Sequence, residues 1–90
     1  MEIGRVVGNL WATRKDEKLN GHKFLIVKFL QTKTEERPGL FVAVDNAGAG
    51  VGELVLVTKG GSARQSIGDL NVPIDAAIVG IVDSIEVEDE

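Results

Sequence analysis

Hydrophobic and polar positions alternate in five short stretches separated by turn residues, the pattern of a small all-β protein. Residues 3–11 alternate loosely around Val6, Val7 and Leu10, and Gly4 and Gly8, costly in a helix, predict a bent or bulged first strand. Residues 13–18 read as a charged, exposed loop. Asn20-Gly21 then supplies a tight turn ahead of a second strand at residues 22–30, rich in β-branched and aromatic side chains. The polar stretch that follows closes on Pro38-Gly39, a turn signal introducing a third strand at 40–44 that stops at Asp45. A fourth strand is expected at 53–58 and a fifth at 76–87. In the fifth, Val79, Ile81, Ile85 and Val87 share one parity while Gly80, Ser84 and Glu86 take the other, which predicts one buried and one exposed face. Between these two strands Ser62 is placed to cap a short helix running through Gln65 or Ile67 and ended by Gly68, and Pro73 restarts the chain. Five strands, one short helical insert and no long helix predict an all-β fold, a small closed or nearly closed five-stranded barrel.

Two glycine-rich corners interrupt this pattern. The first runs Asp45-Asn46-Ala47-Gly48-Ala49-Gly50-Val51-Gly52-Glu53, the second Gly60-Gly61-Ser62-Ala63-Arg64, with the apolar run Leu54-Val55-Leu56-Val57 between them. Small residues there permit positive φ and close approach by a ligand or another chain. Three readings stay open: a plain corner between barrel strands, a cradle of backbone N–H groups for phosphate, or a place where neighbouring subunits meet around a symmetry axis. Neither corner matches a P-loop or a dinucleotide-binding fingerprint. Arg64 is suited to bind an anion or a carboxylate of an adjacent subunit through its planar fork, or else to sit in solvent.

Composition removes whole classes of chemistry. The 90 residues suit one domain, residues 1–90, with 86–90 as an acidic tail. Cysteine is absent, so disulfides, thiolate nucleophiles and cysteine metal sites go together, and the reducing cytosol is the compartment that fits. The net charge of −4 comes from that tail, because Glu86, Glu88, Asp89 and Glu90 leave the remaining body balanced. A neutral body with an acidic tail argues against nucleic acid as a partner, and one tryptophan with three phenylalanines is a poor stacking platform. The longest apolar run is short and broken by Lys28, so no membrane-spanning segment is expected.

Catalysis finds little to work with. His22 is the single histidine, beside a turn, and Ser62, Ser66 and Ser84 lack the context of an activated nucleophile. Asp45, Asp69, Asp75 and Asp83 lack metal-loop spacing and are expected to make turn and cap hydrogen bonds instead. No catalytic residue, metal or cofactor is assigned.

Several motifs in order then carry a resemblance. They are Gly4-Arg5-Val6-Val7-Gly8, Leu19-Asn20-Gly21-His22-Lys23-Phe24, Val42-Ala43-Val44-Asp45-Asn46-Ala47-Gly48-Ala49-Gly50, Gly61-Ser62-Ala63-Arg64 and the stretch from Pro73 to Asp83. With these the chain resembles the CcmL/EutN family of bacterial microcompartment vertex proteins over nearly its whole length. The resemblance implies an OB-like barrel assembled as a homopentamer that caps the vertices of a polyhedral shell, in the cytoplasm, with hexagonal shell proteins as partners. It implies a structural role without enzymatic activity. It also implies that Asp45, Asn46, Gly48, Ala49, Gly50, Gly60, Gly61, Ser62, Ala63 and Arg64 lie at subunit contacts or the central opening. Trp11 and Leu40 are expected to pack in the interface, and Arg64 and Lys59 to contact neighbours. The competing reading is an OB-like ligand- or nucleic-acid-binding module.

Overall fold

Inward-pointing Val, Leu and Phe at every second position drive the strands to close on one another. The computed structural model describes residues 1–13 and 15–88; Arg14 of the charged loop and Asp89 and Glu90 of the acidic tail lie outside the described residues. The strands are β1 (Glu2–Leu10), β2 (Phe24–Phe29), β3 (Phe41–Asp45), β4 (Leu54–Lys59) and β5 (Ala76–Ile81), and α1 (Gly61–Ser66) connects β4 to β5. A 3-10 turn at Glu17–Leu19, capped by the Asp16 side chain accepting from the Lys18 N–H, overlaps the end of the stretch read as loop. The strands close into a barrel in the order β1-β2-β3-β5-β4. Every pairing is antiparallel except β3 with β5, which is parallel.

Val6, Leu25, Val27, Phe29, Ala43, Val55, Val57, Ala76 and Ile78 fill the interior. Gly4 is required by this packing, because a Cβ there would collide with Val27 Cγ1 and stand 3.0 Å from the Lys28 carbonyl oxygen. The bulge expected in the first strand is present. Val6 pairs with Val27 and Gly8 with Ile26, leaving Val7 as the extra, outward residue. Thr58 and Ala77 face each other across β4 and β5 and are both buried, and α1 packs on these two strands.

Two expectations are corrected. The fifth strand ends at Ile81 rather than Val87, because the Val82 N–H donates to the Leu54 carbonyl at the very start of β4 and no more of β4 remains to pair. Its core residues are Ala76 and Ile78, not Val79 and Ile81; Ile81 is 38% exposed. A second bulge accompanies this: Val57 pairs with Ile78 and Leu56 with Gly80, so Val79 is inserted and the period of two changes phase, while Ile81, opposite Val55, is the last residue of the strand and stays partly uncovered. Ser62 is not the helix cap. Gly60 occupies that position without a side-chain bond, and its carbonyl accepts from the Ala63 and Arg64 N–H groups at 3.1 and 3.4 Å. Gly68, at φ 82°, follows the helix end as expected.

Candidate functional site

The first glycine corner is built on one carboxylate. Asp45 closes β3 with its side chain only 2% exposed, and its Oδ1 and Oδ2 accept from the N–H groups of Ala47 and Ala49, each at 3.0 Å. Lys23 Nζ stands 3.6 Å from Oδ2 and donates to the Ala49 carbonyl at 3.1 Å, so it ties both ends of the loop to the start of β2. The Gly50 N–H donates to Glu53 Oε1 at 2.7 Å. Gly48 turns the chain at φ 75°, whereas Gly50 has ordinary φ. Three N–H groups of this corner, those of Ala47, Ala49 and Gly50, are therefore already engaged by carboxylates of the chain itself, which counts against a phosphate cradle there.

The second corner is held from β5. The Gly60 N–H donates to the Asp75 carbonyl at 2.8 Å, with Gly60 at φ 63°. Gly61 begins α1 beside Ser62, which is exposed, and Ala63 is fully buried against the barrel. Arg64 is partly buried and not free: its Nη1 donates to the Ile74 carbonyl at 2.9 Å and fastens α1 to the segment entering β5. The two corners meet, since Asn46 Nδ2 donates to the Ser66 carbonyl at 3.0 Å while the Asn46 N–H donates to Ile78 on β5. Asp45, Asn46, Gly60 and Arg64 thus belong to one connected region at the β3–β5 join. Asp69 also serves a turn, accepting from the Asn71 N–H.

Trp11 and Leu40 stand apart from the core, 85% and 64% exposed. Near Trp11 lies a shallow apolar groove lined by Leu10, Leu19, Phe24, Val42, Val44 and Ile74. Leu40 borders a second depression with Phe41, Val42 and Lys59.

Sequence reasoning missed Lys23 as the bridge of the first corner, and it missed a charged cluster on the barrel end. There Glu2 accepts from both Lys59, at 2.6 Å, and Arg37, and both cations lie over the Phe29 ring. The hydrogen bond from Lys59 lowers the Glu2 pKa; partial burial opposes it, and the positive charges of Lys59 and Arg37 add to the lowering. These residues lie far apart in sequence, and no spacing rule joins them. Among the described residues no group of three or more His, Cys, Asp or Glu side chains is placed to hold a metal ion, and no helix is long and apolar enough to cross a membrane.

Against known proteins, residues 1–83 match the family described as ethanolamine utilisation protein EutN/carboxysome. The chain is 48% identical over 86 residues to the bacterial microcompartment shell vertex protein GrpN of Rhodospirillum rubrum, covering 96% of this chain and 97% of that protein. The solved structure of GrpN, a pentameric microcompartment shell protein, superposes with a TM-score of 0.86 at 46% identity over 97% of this chain and 100% of that one. The structure of CcmL from Gloeobacter violaceus superposes at 0.90, with 38% identity over 98% and 91% of the two chains. With a matching barrel and a match over almost its full length, the chain belongs to the EutN/CcmL family.

Proposed function

We propose that the chain is a structural shell protein that forms a cyclic pentamer and caps the vertices of a bacterial microcompartment, and that it is not an enzyme. The observation that carries this reading is the end-to-end match, in sequence and fold, to shell vertex proteins, one of them solved as a pentamer. The geometry is consistent with it. Six-fold tiles pave a plane, and a plane closes into a polyhedron only where five-fold units replace them. A ring of barrels requires a heterologous contact, in which one patch of the surface meets a different patch of the next copy.

Trp11 and Leu40, exposed in the single chain, supply apolar area for that contact. The joined corners, Asp45–Gly50 and Gly60–Arg64 in sequence, are rigid through their internal hydrogen bonds, and we place them at subunit contacts or around the central opening. Hexagonal shell proteins are the partners at the outer rim. No observation favours the alternative of a nucleic-acid-binding module.

Native mass spectrometry of the purified chain across a concentration series tests the reading. A dominant pentamer is expected. A monomer or dimer at every concentration overturns it.

A further inference from the structure

The barrel closes unevenly. Strand β3 pairs with β2 along its length from Phe41 to Val44, but with β5 only at Val44 and Asp45. The side of residues 40–43 that faces β5 has no strand partner among the described residues. Along this gap Leu40, Phe41 and Val42 are exposed, Val42 to 45%, and Lys59, Gly60, Asp75 and Ala76, joined to one another across β4 and β5, line the rest of the depression. An apolar strand side without a partner is a template for pairing with an extended segment.

The same chain carries a segment without a ladder. After the Val82 N–H bonds to Leu54, residues 83–87 belong to neither helix nor strand, although their alternation reads as strand. Asp83, Ile85 and Val87 share one face, and Ser84, Glu86 and Glu88 share the other. Within the chain, Ile85 and Val87 lie beside Met1, Ile3, Leu30 and Leu56, on the side of β1 and β4, and Val87 remains 48% exposed. In the closed order β1-β2-β3-β5-β4 that side lies across the barrel from β3, so the segment does not serve its own gap.

We propose that residues 82–88 of one copy dock along the open side of β3 in a second copy, and that this contact repeats from subunit to subunit. Ile85 and Val87 cover Leu40 and Val42. Glu86 and Glu88 meet Lys59 and Arg37, two cations that share the Glu2 carboxylate as their one ion-pair partner among the described residues. Seven extended residues span roughly 23 Å, enough to cross to a neighbour. The two patches are different parts of the surface, so the contact is heterologous, the kind a ring needs. This inference rests on the ring reading, and it names the segments that close the ring.

The absence of cysteine makes a covalent test clean. Val42→Cys and Val87→Cys are made as separate single variants, co-assembled and mildly oxidised, because paired strands bring Cα atoms within disulfide range. The expected result is a disulfide joining the two different variants, carried by a pentamer in native mass spectra, with neither variant linking alone. A chain truncated after Val82 is expected to lose pentamer at concentrations at which the full chain assembles, a shift of tenfold or more in midpoint. A pentamer without the 42–87 link, or a truncated chain that assembles as well as the full one, overturns this inference and leaves the ring reading standing. A monomer at all concentrations overturns both.

Discussion

Replacing Asp45 with Asn is the sharpest test of how the first corner holds its shape. The substitution keeps the volume of the side chain but replaces one acceptor oxygen with an NH2 group. Its two oxygens now accept from Ala47 and Ala49, each at 3.0 Å, in a position only 2% exposed, with Lys23 Nζ 3.6 Å away. In Asp45→Asn one of those N–H groups faces another donor. A hydrogen bond to a charged group contributes about 1.5–3 kcal/mol, and a buried donor left without its partner costs about 1–3 kcal/mol. The loss of attraction to Lys23 adds little, because that ammonium is half exposed. The expected destabilisation is about 2–3 kcal/mol. For a domain of this size that lowers the melting temperature by roughly 10–20 °C. Thermal unfolding by circular dichroism, at one fixed protein concentration so that assembly does not shift the midpoint, measures it. A variant melting within about 3 °C of the parent would show that the corner does not depend on the Asp45 carboxylate.

Three further outcomes follow from particular contacts. Gly4→Ala places a methyl group against Val27 and the Lys28 carbonyl and is expected to cost about 1–3 kcal/mol in urea unfolding; no change in the midpoint would mean that β1 shifts freely in the barrel. Because folding lowers the Glu2 pKa, its ion pairs stabilise the protein above the unfolded value, about 4.3, and that contribution disappears as pH falls through the lowered folded value. Glu2→Gln is therefore expected to melt below the parent at neutral pH and to converge with it in acid, and a gap that widens toward low pH would contradict the pairing. Arg64→Glu removes the bond to Ile74 and reverses a charge in the joined corners, so both a lower melting temperature, by about 1–2 kcal/mol in stability, and weaker assembly are expected; unchanged melting and unchanged oligomeric mass would remove Arg64 from both roles.

Much of the barrel is legible in the alternation of residues such as Leu25, Val27 and Phe29, because a half-buried strand imposes a period of two directly on the chain. The bulge in β1 is legible too, through Gly4 and Gly8. The bulge at Val79 is not, because Gly80 beside it also fits the outward face of an unbroken alternation, and one inserted residue is enough to exchange inner and outer faces. Residues 83–87 read as strand because local preference for strand does not depend on a partner being present; pairing does, and β4 is too short to provide it. At the candidate site the small residues of both corners are visible in sequence, but their union through Asn46 and Ser66 is a tertiary contact. The same holds for Lys23, whose partner lies 26 positions away. Arg64 shows the limit in another form, since a lone arginine in sequence has no way to declare that its donor is taken by a backbone carbonyl.

Co-expression of the chain with hexagonal shell proteins, viewed by electron microscopy with the chain carrying a density label, tests the vertex role most directly. A vertex cap gives closed polyhedra with label confined to their corners, and open sheets or tubes when the chain is left out. Shells that close equally well without the chain, or label spread over flat faces, would contradict it.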